Sequence, residues 1–247
     1  MNLMKLTASL PAALCFVIAI STSAQVLTVQ VGAPPPAPTP LVNHGDTWSY
    51  RKGDSVPQID WKTSSDLSLD GTWLTGPGGF GFGDGDDATV LNDMEGIYST
   101  VYIRKSFEIP VGVDPGRRVI LTMDWDDGFV AYLDGVEVRR SPNVAVANPL
   151  FDSITAAGQN HEASAGAGGL PPTSYDLGSV GTLLAPGAHV LAIHGLNAGA
   201  ASTDFSLIAD LRLEGGASVA GGGATLSAPA SCPANSVAAA SGVLMKP

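Results

Sequence analysis

Apolar and polar side chains alternate at every second position through much of the chain's middle. Val119, Leu121, Met123 and Trp125 alternate with Ile120, Thr122 and Asp124, and Phe205, Leu207, Ala209, Leu211 and Leu213 alternate with Ser206, Ile208, Asp210, Arg212 and Glu214. Successive strand side chains point to opposite faces, so both runs read as strands. Between Phe129 and Arg140 the sequence FVAYLDGVEVRR sets Asp134-Gly135 between two runs rich in β-branched and aromatic residues. That is a hairpin signal, because a type I′ turn needs positive φ at both central positions. Thr47 to Lys52, Ile97 to Ile109 and His189 to Leu196 are further strand candidates, and no stretch sustains a capped 3.6-residue repeat. Short strands joined by Gly, Pro and Asp turns predict an all-β fold, an antiparallel β-sandwich or jelly roll. A parallel α/β sheet would need crossover helices that the pattern does not supply.

The two ends read differently. Residues 1–24 carry Lys5, an apolar run from Leu10 to Ile20 and a small polar close at Ser21-Thr22-Ser23-Ala24, the layout of a secretory signal peptide cut after Ala24. The run is shorter than the roughly 20 residues of a membrane-spanning helix, so the expectation is a secreted, extracellular or periplasmic protein without membrane insertion. Leu14 precedes Cys15 where a lipid-attachment site would want a small residue. Residues 25–45 contain VGAPPPAPTP and read as a Pro-rich spacer, 46–214 as the sandwich domain, and 215–247 as a flexible Gly/Ala/Ser-rich tail. From Ser141 to Pro172 runs a long, small-residue-rich loop, and loops of that length are usually mobile or functional.

Charge and cysteine usage narrow the classes. With 12 Lys+Arg against 23 Asp+Glu the net charge is −11, which argues against nucleic acid and anionic lipid as partners. Once Cys15 leaves with the signal only Cys232 remains, so an internal disulfide and a Cys-based zinc site are both excluded.

Most catalytic signatures are missing. There is no G-x-S-x-G, and His44, His161, His189 and His194 show no metal-ligand spacing; His189 and His194, five apart on one expected strand, face opposite sides. Gly76-Pro-Gly-Gly-Phe-Gly81 matches G-x-G-x-x-G in form, but Pro77 interrupts it and no helix follows to hold a phosphate. Two acidic loops stand out: Asp84, Asp86 and Asp87 in FGFGDGDDAT, and Asp124, Asp126 and Asp127 in MDWDDG. Calcium favours such carboxylates with backbone carbonyls, which makes Asp84, Asp86 and Asp87 a candidate structural calcium loop. It is no EF-hand, since Ala88 and Thr89 occupy positions 5 and 6, and turn chemistry, with Asp before Gly capping the local backbone, is the commoner explanation. A glycosidase pair would need one carboxyl in an apolar pocket, and nothing in the sequence places one there. Sugar binding asks only for an aromatic face and a few polar groups. Trp48, Trp61, Trp73 and Trp125 are the candidates, with Trp73 and with Trp125 beside Asp126 and Asp127 foremost, although packing is the commoner fate of Trp in a small sandwich. Arg104-Lys105 and Arg139-Arg140 read as solvated faces or partners of the acidic loops.

Taken together, Trp73…GPGGFGFGDGDDATVL, Tyr102-Ile-Arg-Lys-Ser-Phe107, DWDDGFVAYLDGVEVRR, LAPGAHVLAIHGLN and STDFSLIADLRL resemble bacterial extracellular β-sandwich modules of galactose-binding-like, jelly-roll type. Those modules carry P-x-GYGDG, Y-x-RK-x-F, DDG-x-x-x-YLNG-x-EV, G-x-NVLA and SD-x-x-FD-x-x-L in the same order. This chain departs from them at Phe82, Asp134, His189 and Gly195-Leu196. The resemblance implies a non-catalytic appendage with carbohydrate as the suspected ligand. The expectation is therefore a secreted binding module for a polysaccharide or glycan rather than an enzyme; the alternatives are a structural or adhesion module at the cell surface, or an accessory piece of a longer secreted hydrolase.

Overall fold

The structure is a computed structural model that describes residues 16–20, 27–31 and 36–215. Two compact units divide the chain. Of the first, the described part is a pair of antiparallel strands, β1 (Phe16–Ile20) and β2 (Leu27–Val31). The rest of the segment read as a signal peptide, and the tail beyond Gly215, lie outside the described residues.

The second unit, Pro36–Ala217, is an all-β sandwich. Its strands are β3 (Thr39–Val42), β4 (Thr47–Lys52), β5 (Leu74–Pro77), β6 (Phe80–Phe82), β7 (Thr89–Val90), β8 (Thr100–Ile109), β9 (Arg118–Asp126), β10 (Gly128–Leu133), β11 (Val136–Arg140), β12 (Thr173–Ser179), β13 (Gly187–Leu196) and β14 (Phe205–Glu214). One sheet runs β11-β10-β13-β8-β4-β5 and is antiparallel throughout. The other runs β12-β9-β14-β6-β7, with β3 on β14 beyond the stretch where β6 pairs. Its one parallel pair is β6 with β7. Single-turn α1 (Val180–Leu183) and a 3-10 turn at Asp66–Ser68 are the helical elements among the described residues.

Alternation sorts the side chains. On β9 and β14 the register sets Leu207 opposite Trp125, Ala209 opposite Met123 and Leu211 opposite Leu121, all facing the first sheet's Val101, Ile103, Leu191 and Ile193 across one core. Burying each such large side chain contributes about 1.5–3 kcal/mol. The opposite face of the first sheet carries a second apolar cluster, with Trp61, Tyr102, Val130, Tyr132 and Leu196. The hairpin forms at the expected place: Asp134 (φ 47°) and Gly135 (φ 83°) both take positive φ.

Two expectations are corrected. The Pro-rich spacer is not all spacer: Thr39–Val42 pairs with β14, which Pro40 permits because β3 has no second strand partner to which it would owe an N–H. Arg117 fastens this strand from β9's approach, donating to the carbonyls of Ala37, Leu213 and Gly215 and to Thr39 Oγ1. Arg104 is no solvated charge; it is 0% exposed, lies 3.0 Å from Asp66 and donates to the carbonyls of Trp61 and Ser64, and so binds the β4–β5 loop down.

His189 ties the hairpin turn to β13. Its Nδ1 lies 2.6 Å from Asp134 Oδ2, and its Nε2 lies 2.6 Å from the Ala185 carbonyl oxygen. Burial opposes the charged form, but these two acceptors outweigh it and raise the imidazole pKa above 6.5. A raised folded-state pKa gives stability that is complete below about pH 6.5 and lost as the pH climbs through the folded value. The stability difference between wild type and His189→Gln, from urea unfolding, should be larger at pH 5.5 than at pH 8.5.

Candidate functional site

The chain crosses between sheets at Asp127, which sits between the last residue of β9 and the first of β10. The loop from β13 to β14 makes the return crossing, and both open on the same end of the sandwich. The Gly83–Asp87 loop packs there too. Gly83 has φ 104°, and a Cβ on it would fall 2.5 Å from the Thr203 carbonyl oxygen, so only glycine brings these loops together.

Eight acidic residues gather at this end. Asp84, Asp86 and Asp87 each offer an oxygen within 4.8 Å of the others, and Asp126, Glu162 and Asp204 form a second such group. Burial first, then the neighbouring Asp84 and Asp86 charges, pushes Asp87 up to about 8. Burial and the Asp127, Asp204 and Glu162 carboxylates push Asp126 well above the usual carboxylate range, and Asp84 and Glu162 are raised for the same kinds of reason. The other two acids are satisfied by the fold. Asp127 accepts the backbone N–H of His161 at 3.1 Å and of Ala198 at 2.6 Å, while Asp124 accepts the N–H and hydroxyl of Ser164.

These contacts strap the long Ser141–Pro172 loop across the sheet. His161 adds an Nδ1–H bond to the Trp125 carbonyl and stacks on the indole at 4.0 Å between centroids. Asn143 donates to the carbonyls of Asp127 and Gln159. What is left between loop and core is a cavity of about 190 Å³ lined by Trp125, Pro142, Asn143, Gln159, Asn160 and His161. Two of these buried residues carry polar atoms without partners, Trp125 Nε1 and Asn143 Oδ1.

A larger cavity, about 330 Å³, lies on the outer face of the first sheet and is lined by Trp61, Tyr102, Tyr132, His194, Lys62 and aliphatic residues including Val56, Ile59 and Leu150. Tyr102 stacks on His194 at 4.1 Å, and burial drives the His194 pKa down to about 3, so the imidazole stays neutral. Arg104 positions Trp61 here through its bond to the Trp61 carbonyl.

The ligand residues read from sequence do not form one site. Trp73 stacks on Trp61 at 6.2 Å in the outer cluster of the first sheet, whereas Trp125 belongs to the core and Asp126 projects from the opposite side of β9. Adjacent strand residues cannot share a face, which separates Trp125 from Asp126. Trp125 is 3% exposed; His161 stacks on one face and Phe129 meets the ring in a T-shaped contact, so the indole offers a ligand no open face. Asn143, Gln159, Glu162 and Asp204 were missed in sequence. They lie in turns whose meeting with Trp125 and Asp126 is a tertiary fact; the STD run before β14 was the one local signal.

No family model and no curated protein matches the chain. Solved structures that the chain matches in part include a β-glucuronidase from an uncultured Clostridium sp. (TM-score 0.43, 13% identity, covering 75% of this chain and 30% of that one). Others are β-glucuronidases from Faecalibacterium prausnitzii (0.37, 16%, 66% and 22%) and from Bifidobacterium dentium, complexed with coumarin-3-O-glucuronide (0.39, 18%, 64% and 20%). The chain thus spans less than a third of those proteins, and likeness at these TM-scores assigns neither a family nor an activity. Among the described residues no helix is long and apolar enough to cross a membrane.

Asp127→Ala should leave the His161 and Ala198 amides without their shared acceptor. Hydrogen bonds to charged groups are worth about 1.5–3 kcal/mol each, so a stability loss of about 2–4 kcal/mol in urea is expected, with faster proteolytic nicking between residues 141 and 172.

Proposed function

We propose that the protein is a secreted, non-catalytic carbohydrate-binding module of galactose-binding-like, jelly-roll type, and that the glycan binds in the cavity beside Trp125. The observation that carries this reading is the cavity's lining. Three amide side chains, an imidazole and an indole surround a space of about 190 Å³, and an unpartnered donor and acceptor belong to Trp125 and Asn143. A sugar hydroxyl is donor and acceptor at once, so it answers both. Recognition in this arrangement runs through hydrogen bonds to the indole edge, with no stacking on its face.

The runner-up, an adhesion module with a protein partner, is favoured by one feature. Around the mouth of the larger cavity Ile59 is 97% exposed, Val56 71% and Leu150 64%, an apolar rim suited to a docked protein surface.

Glycan-array screening followed by titration tests the first reading. Trp125→Ala would hollow the core, so the informative variants are Trp125→Phe, which keeps the ring and removes the N–H, and Asn160→Ala and Gln159→Ala on the exposed loop. Each should weaken glycan binding roughly fivefold or more, in line with about 1 kcal/mol per hydrogen bond, with the melting temperature unchanged in the two loop variants and lowered in Trp125→Phe, whose smaller ring leaves part of the core unfilled. Absence of binding to any glycan, or binding indifferent to all three, would sink it. Loss of a partner contact in Ile59→Asp with glycan binding absent would favour the adhesion module.

A further inference from the structure

We propose that Asp126, Glu162 and Asp204 form a divalent-cation site, with calcium the preferred ion, that fastens the long loop to the end of the sandwich. The three come from separate segments: the end of β9, the Ser141–Pro172 loop and the residue before β14. One oxygen from each lies within 4.8 Å of the other two. Calcium holds oxygens at about 2.4 Å, so two ligands of one ion can stand up to about 4.8 Å apart, whereas magnesium, at about 2.05 Å, requires tighter packing. An all-carboxylate set also selects a hard cation over zinc or copper.

The surroundings point to an ion independently of the carboxylates. Ser206 stands opposite Asp126 on β14 and opposite Gly81 on β6, all three on the outward face of the sheet. Ser206 is 0% exposed, yet its hydroxyl has no partner. On its other side, Asp87 fills the space over Gly81, where a Cβ would fall 2.4 Å from Oδ1, and both Asp87 oxygens are also unpartnered. A sealed hydroxyl set in one row with a buried carboxylate and bonded to nothing is what a hydrated cation would satisfy, since the ion's bound water supplies donors to the carboxylates and the hydroxyl. Asp126 itself is 4% exposed, and among the described residues no N–H group donates to its carboxylate, in contrast to Asp124 and Asp127 on either side. The Gly83–Asp87 loop adds field through Asp84, which interacts with Asp204, but its Asp86 is exposed.

The test uses the purified protein after EDTA treatment. Calcium at 1 mM should raise the melting temperature by about 5–10 °C, as expected for a ligand near a hundredfold excess over its Kd on a domain of this size. Terbium should bind and emit under indole excitation, with Trp125, next to Asp126, as the antenna. Glu162→Gln, on the partly exposed loop, and Asp204→Asn should lose both signals while Asp86→Asn keeps them. No calcium shift together with no sensitised terbium emission would overturn the proposal. So would a response kept in Glu162→Gln but lost in Asp86→Asn, which would move the ion to the Gly83–Asp87 loop.

Discussion

Neighbouring residues on a strand point to opposite faces, and at the end of β9 this constraint distributes the chemistry of the whole molecule. Trp125 enters the core, Asp126 emerges on the outside, and Asp127 falls where the chain leaves one sheet for the other. Three consecutive residues thus serve three environments: an apolar layer, an acidic recess, and a junction at which a single carboxylate accepts amides from two different loops. Had the crossing come one residue earlier or later, the indole would have been solvated and a carboxylate driven among Met123 and Leu207.

Without disulfides in the described region, the loops are secured by buried charge. Arg104 is the clearest case, a guanidinium 0% exposed whose donors reach Trp61, Ser64 and Asp66. Burial holds its pKa below the usual guanidinium value, and the Asp66 and Asp60 carboxylates offset only part of that cost. Groups of this kind add little net stability compared with an apolar replacement, but removing one partner costs about 3–5 kcal/mol because the other charge is stranded. Their benefit is geometric: the loop carrying Trp61 has one seat on the first sheet, and the loop carrying His161 has one seat on the second.

Much of the fold was legible in the sequence because it rests on local pattern. β9, β14, β4 and the Asp134-Gly135 hairpin follow from period two and turn chemistry and lie where those rules place them. Strands β5, β6 and β7 were not legible; they are two to four residues long and interrupted by Gly76, Pro77 and Gly81, so they gain their shape from β4 and β14 rather than from themselves. β12 escaped notice because Ser174, Asp176 and Gly178 dilute the pairing of Tyr175 and Leu177 with the core. The acidic residues were visible one loop at a time. Which of them meet depends on Gly83 touching Thr203 and on a strap of loop laid over Asp124, contacts between residues 40 to 120 positions apart that no local spacing encodes.

Arg117 has a mechanical consequence. One guanidinium grips the backbone at Ala37, Leu213 and Gly215, so the polypeptide enters and leaves the sandwich side by side, with β3 and β14 running antiparallel from that point. Tension applied across the two exits would therefore open the β3–β14 ladder like a zip, rung after rung starting at the arginine, instead of shearing all its bonds together. Under load the domain is a soft element, extending at low force, whose first yielding event is the loss of a single side chain's grip.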